Sequence, residues 1–297
     1  MKRKSRFDRG VDLIINIFLV LIGIACIYPI WFVLVASVSN PNAIGRGEVV
    51  LWPVGFTTSG YEMLFDFPDL WVGYRNSLLY LFGGSFLSLA VTLPAAFALA
   101  NSRLVGRKII NTFFIICMYF SGGLIATYML HTTIDYYIPW MNTVWVMVIP
   151  SSMAVYNMII ARTSFESLPP ALQEAAEVDG CSHFRFFFQF ALPLCKATIA
   201  VLFLFTALSW WNEYMRFVIY IENPELQSLQ VIVRQITEVL NQALDSTVSA
   251  GEIAKQMERQ QLLRYSVVVV VALPFVMLYP FVQKYFNKGV MVGSVKG

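Results

Sequence analysis

Residues 13–36 read LIINIFLVLIGIACIYPIWFVLVA, a run without one charged side chain. A bilayer core about 30 Å thick is crossed by about 20 apolar residues in a helix. Lipid offers no water to satisfy peptide groups, so such a run must be helical. Five further runs of mostly apolar residues follow, at roughly 75–100, 109–130, 141–162, 197–221 and 264–284. The basic segment ahead of the first run, MKRKSRFDR, resembles the start of a secretory signal. The apolar stretch behind it far exceeds the roughly 7–15 residues of a signal core, so it reads as an uncleaved first span. The expected fold is all-α, a polytopic membrane protein with six transmembrane helices.

The composition agrees. Of the 297 residues, 58 % are hydrophobic and 13 % charged, with a mean hydropathy of +0.64. Soluble domains average about 45–50 % apolar and about 25 % charged. These values exclude a disordered chain, a nucleic-acid binder and a small disulfide scaffold, and argue against a soluble enzyme.

Lys and Arg collect on the cytoplasmic side of membrane proteins. With the N-terminus inside, that side carries Lys2, Arg3, Lys4, Arg6 and Arg9, then Arg103, Arg107 and Lys108, then Arg162, Arg185 and Lys196, then Lys284, Lys288 and Lys296. The opposite loops carry Glu48, Glu62, Asp66, Asp69, Asp135, Glu222 and Glu225. Both termini are therefore expected in the cytoplasm. The organisation that follows is a cytoplasmic N-terminus (1–12), a first span (13–36), an extracytoplasmic loop (37–74), a five-helix core (75–287) and a cytoplasmic tail (288–297). Within the core lie a cytoplasmic loop, 165–193, and an extracytoplasmic segment, 222–263. In that segment Leu226, Leu229, Val233, Ile236, Leu240 and Leu244 recur at helical spacing, and Ser249 with Glu252 forms a capping box. The amphipathic face suits equally a lid over the helix ends or a docking surface for an extracellular partner.

Several chemistries have no residues to carry them. There is no P-loop, no His-Glu-x-x-His and no Gly-x-Ser-x-Gly. No catalytic residue, cofactor or metal is expected. Cys26, Cys117, Cys181 and Cys195 form no Cys-x-x-Cys pair and read as small apolar fillers. His131 and His183 fall on opposite sides of the membrane. No span holds the train of acidic groups that ion coupling would need. A transporter of this composition would draw its energy from another chain. Gly83-Gly84-Ser85 and Gly122-Gly123 suit close helix contact, and Pro94, Pro150 and Pro274 suit kinks.

The loop between the fourth and fifth runs reads SFESLPPALQEAAEVDGCSHFRFFFQFALPLCKA. Pro169-Pro170 can start a helix, residues 171–178 are strong helix formers, and Gly180 can end it in a left-handed turn. His183–Phe190 forms a second short aromatic segment, broken at Leu192-Pro193. Small alanines let such a helix sink into a groove on a partner, and a carboxylate at its edge can meet an arginine there. A helix lying on lipid headgroups would be basic instead; Glu174, Glu177 and Asp179 argue against that.

Glu174-Ala175-Ala176-x-x-x-Gly180, followed by Phe190-Ala191-Leu192-Pro193, resembles the EAA loop of ABC importer permeases, with Phe190 and Cys181 as departures. EAAEVDGC, Leu192-Pro193-Leu194, Trp211-Asn212-Glu213, Ser121-Gly122-Gly123-Leu124-Ile125 and the tail KGVMVGSVKG are similar to the carbohydrate branch, MalG-like and closest to the LplC-like group. The resemblance implies a bacterial cytoplasmic-membrane subunit with a MetI/MalG-like permease core, itself not an enzyme. It implies a second, paralogous permease chain, two copies of an ABC ATPase, an extracellular solute-binding protein and an oligosaccharide substrate. Glu174 would pair with a basic group on the ATPase. Ala175, Ala176 and Gly180 would shape the coupling helix, Asp179 would support its turn, and Leu192 and Pro193 complete the motif. Trp210, Trp211, Asn212 and Glu213 are candidates for the sugar path; the alternative is a local pair of Glu213 with Arg216 beside interfacial aromatics.

Overall fold

The computed structural model describes residues 6–120, 122–242, 257–258 and 260–277. Within them every regular element is a helix. Ser121, the Ser249–Glu252 capping box, Leu244 and the tail motif lie outside the described residues.

Among the described residues, three helices are long and apolar enough to cross a membrane: Val11–Ala36, Pro68–Ala100 and Gln260–Met277. Two bent pairs raise the count to five, Arg107–Tyr119 with Gly123–Tyr137, and His183–Leu194 with Lys196–Trp211. The predicted run at 141–162 is not one helix. It forms two, Val144–Val148 and Val155–Glu166, with irregular backbone between them. Pro150 sits in that break; it has no N–H to donate and disfavours helical geometry in the residue before it.

The chain divides into two compact units. The first holds 1–68 and 233–274. Its helix Arg6–Ala36 continues into short helices at Pro41–Gly45 and Ser59–Phe65. Gly60 lies against Leu262 and Ser266, where an added Cβ would come within 2.4 Å of the Ser266 hydroxyl. Ser37 and Tyr61 share a hydroxyl hydrogen bond of 2.7 Å. Packing of this kind joins the short helices to Gln260–Met277 without requiring a large core.

The second unit holds 69–232 and 275–297. We label its helices α1 (Pro68–Ala100), α2 (Arg107–Tyr119), α3 (Gly123–Tyr137), α4 (Val155–Glu166), α5 (Pro170–Val178), α6 (His183–Leu194) and α7 (Lys196–Trp211). Ala96 of α1 and Ala161 of α4 are fully buried and let the two backbones approach. Leu93, Leu99, Met158, Phe165, Phe187 and Leu202 fill the space around them. Helices α6 and α7 meet at 81°. The sequence places the break at Leu192-Pro193, whereas the chain absorbs Pro193 in a π-turn at Phe187–Ala191 and bends two residues later, at Cys195. A π-turn accommodates the hydrogen bond that the proline cannot make.

The end of this unit near Asn76 and Asn142 is tied by side chains. Asn76 donates to the carbonyls of Glu225 (2.6 Å) and Gln227 (3.0 Å), and the Ser77 hydroxyl accepts from the Leu229 amide at 2.8 Å. Asn142, at φ 57°, accepts from the amides of Glu222 and Asn223. The amphipathic pattern from Leu229 onward is a helix, Leu229–Gln242, whose Leu229, Val231 and Ile232 are buried.

Candidate functional site

Two places in the second unit concentrate polar groups. The first is the segment between α4 and α7, which carries α5 and α6. Pro169 is extended and Pro170 occupies the first turn of α5. Gly180 closes the helix at φ +73°, where its amide reaches the Glu177 carbonyl and the Cys181 amide reaches the Ala176 carbonyl at 2.9 Å. A side chain at that φ is strained, so the glycine is required. Ser182 then caps α6 through the Arg185 amide.

This geometry sorts the predicted residues onto two faces. Leu172, Ala176 and Leu192 pack on the core. Glu174, Ala175, Asp179 and Pro193 are exposed, as is Val178, at 87 %.

Behind α5 stands a charge network that the sequence reading had not assembled. Arg103 meets Glu177 at 3.0 Å, and Gln173 donates to the other Glu177 oxygen at 3.2 Å. The Arg103 guanidinium holds the Glu177 carboxyl below the usual carboxylate range. Arg107 donates to the Leu99 carbonyl at the end of α1 (2.7 Å) and pairs with Glu166 of α4, which Arg162 also approaches at 3.5 Å. A cleft of about 380 Å³ opens between these groups, with Glu174 on its wall. The signal was present in the basic residues of the loop 101–107, which served only to orient the chain.

The second place lies where three helices lose regularity. In α1, a π-turn spans Tyr80–Gly84. Between Val148 and Val155 the backbone is irregular, and after α7 the helix resumes only at Met215. Here a cavity of about 250 Å³ is lined by Ser88, Ser151, Asn157, Thr206, Ser209 and Arg216, with Trp210 beside them. Asn157 donates to Thr206 at 3.2 Å. Arg216 pairs with Glu213 (2.6 Å), donates to the Ser151 hydroxyl, and lies 5.6 Å from the Trp210 ring centre. Trp210 also stacks on Tyr80, and Gly84 leaves no room for even a methyl group against the indole.

The four residues proposed for the sugar path divide accordingly. Trp210 borders the cavity but is buried at 3 % exposure by its neighbours. Trp211 is buried between Tyr74 and Phe275. Asn212 is exposed and donates back to the Leu208 carbonyl. Glu213 stands behind Arg216 and accepts from its amide and guanidinium. Ser88, Ser151, Asn157 and Thr206 were not singled out; their signal was hydroxyl and amide groups within apolar runs.

Comparison with known proteins covers nearly the whole chain. Residues 69–292 match the family of binding-protein-dependent transport system inner membrane components. Protein LplC of Bacillus subtilis is 31 % identical over 99 % of this chain and 97 % of its own length. The polygalacturonan/rhamnogalacturonan transport system permease protein YtcP of the same organism is 29 % identical over 98 % of this chain and 99 % of its own. A chain of a bacterial ABC transporter involved in import of the acidic polysaccharide alginate superposes with a TM-score of 0.84 at 27 % identity, covering 96 % of this chain and all of that one.

Proposed function

The chain belongs to the family of binding-protein-dependent transport system inner membrane components, and from that premise we propose that it is the transmembrane subunit of an ATP-driven carbohydrate importer in a bacterial cytoplasmic membrane. Six crossings with both termini in the cytoplasm fit the charge bias, each bent or broken helix counting as one crossing. The chain itself catalyses nothing. It works with a second permease chain, two copies of an ATPase and an extracellular binding protein. Relatives named for polygalacturonan/rhamnogalacturonan and alginate transport support an oligosaccharide as cargo.

The observation that carries this reading is the two-sided coupling helix α5. Its exposed edge of Glu174, Ala175 and Asp179 is free for the ATPase, while Leu172 and Ala176 anchor it to the core. Closure of the ATPase dimer pushes on that edge. The push passes to α4 and α7 through the buried Ala161, Phe165, Phe187 and Leu202. A packed core moves as a body, so a small displacement at α5 becomes a switch of access at the polar cavity. ATP binding favours one access state by its differential affinity for the two.

The test is binding-protein-dependent ATP hydrolysis by the reconstituted complex. Sugar-loaded binding protein should raise hydrolysis with the native chain, and Glu174→Arg should abolish the rise without removing the chain from the membrane. A complex whose hydrolysis ignores loaded binding protein would contradict the proposal.

A further inference from the structure

We propose that the cavity at the helix breaks recognises a sugar bearing a carboxylate, and that Arg216 is the residue that selects it; this inference rests on the importer reading. Among the described residues that line the cavity, Arg216 is the one with a formal charge. The remaining polar groups, Ser88, Ser151, Asn157, Thr206 and Ser209, are hydroxyls and an amide, which suit sugar hydroxyls. Glu213, the partner of Arg216, is not part of the lining.

Arg216 follows the candidate span that ends at Trp211, and a charged group in or beside a span is costly unless it faces a partner or a polar path. A neutral sugar would need only the hydroxyl and amide groups already there. Arg216 adds directional donors. A guanidinium has five N–H groups in a planar fork. Contacts to Glu213 through Nε and Nη2, and to Ser151 through Nη1, engage three. Two remain for a ligand, and a carboxylate is the acceptor that a planar guanidinium fork binds best. The Glu213 carboxylate keeps the empty site neutral overall, so no unpaired cation is left buried between transport cycles. Trp210 and Ser151 fix the guanidinium from two sides, so little order is lost when a ligand arrives. An acidic ring entering the cavity shares Arg216 with Glu213 and spends its hydroxyls on Asn157, Ser209 and Ser88.

The test uses the chain in complex with its co-purifying permease and ATPase, in lipid nanodiscs and without binding protein. The probes are digalacturonate and galactobiose, which differ only in a carboxylate against a hydroxymethyl group on each ring. Binding is read by calorimetry and by tryptophan fluorescence, since Trp210 borders the site. Digalacturonate should bind at least about tenfold tighter, the scale of one charge-assisted hydrogen bond, and should weaken with added salt. Arg216→Gln should abolish that preference and leave galactobiose within about twofold, and Arg216→Lys should retain part of it. Equal binding of the two disaccharides to the native complex would overturn the inference without any variant. So would binding of neither by a complex that hydrolyses ATP; the importer reading would survive both results. A preparation that contains no ATPase would overturn the importer reading, and this inference with it.

Discussion

Arg103 and Glu177, separated by 74 positions in sequence, meet at 3.0 Å and join the loop after α1 to α5, the proposed coupling helix. The contact gives α5 a second attachment to the permease besides its apolar face. In the proposed mechanism, movement of α5 would pass to the loop before α2 as well as to α4. Arg107 stands next to it with a different character: its side chain and that of Glu166 are more enclosed, and it also holds the end of α1. The pair at 107 and 166 acts as a fixed pin, and the more exposed pair at 103 and 177 as a contact that can part and re-form.

Exchange of charges tests that contact. Arg103→Glu or Glu177→Arg alone should lower the number of sugars imported per ATP by a few-fold, about two to five, because exposed pairs are weak. The double exchange should recover most of the loss. Its pH dependence follows from the direction of the shift: a carboxyl held below its ordinary range contributes fully above that range and loses its contribution as pH falls through the lowered value. Coupling should therefore be flat from neutral to mildly acidic pH in the native chain. Recovery absent in the double variant would show that the two residues act separately.

Gly180→Pro should uncouple transport. The amide of Gly180 is used by the Glu177 carbonyl and its φ is +73°, and proline can supply neither. Gly180→Ala should cost about 1–2 kcal/mol from the left-handed backbone and weaken coupling less. Both variants should insert normally, as read by membrane fractionation; sugar uptake at the native rate in Gly180→Pro would remove the turn from the coupling path.

Gly84→Ala should destabilise the second unit by about 1–3 kcal/mol, the range of an overpacked core, because the new Cβ would fall 2.3 Å from the Trp210 ring. Trp210→Leu should relieve the clash, so the double variant should unfold at a higher temperature than Gly84→Ala alone. Thermal unfolding in mild detergent measures both.

Asn142 does two things, adopting a left-handed backbone and accepting two amides. Asn142→Gly should lose only the hydrogen bonds, and Asn142→Ala should lose both the bonds and the backbone freedom. Protease cleavage near 222–223 should rise in the order native, glycine, alanine. An equal rise in the two variants would show that backbone strain contributes nothing there.

The parts legible in the sequence were those whose causes are local. The run at 13–36 declares a helix by length alone, and Pro169-Pro170, the alanines and Gly180 bound α5 within a dozen positions. Pro150 marked a kink in the run at 141–162, but the sequence did not show that the helix would be broken from 149 to 154. Its break is sustained by Arg216 donating to Ser151, a contact across 65 positions. The pairing of Arg103 with Glu177 was hidden for the same reason: each residue was visible, but the packing of α1 on α4 brings them together. Trp211 illustrates the reverse case. Its place in Trp-Asn-Glu suggested the sugar path, yet the structure buries it against Tyr74 and Phe275, outside the lining of the cavity.

The most direct measurement is purification of the chain from its native membrane in mild detergent, with the co-purifying proteins identified by mass spectrometry. The account predicts a second polytopic permease and a P-loop ATPase in the preparation, and their loss in Glu174→Arg for the ATPase alone. Recovery of the chain by itself, under conditions that keep other ATP-driven importers intact, would contradict it.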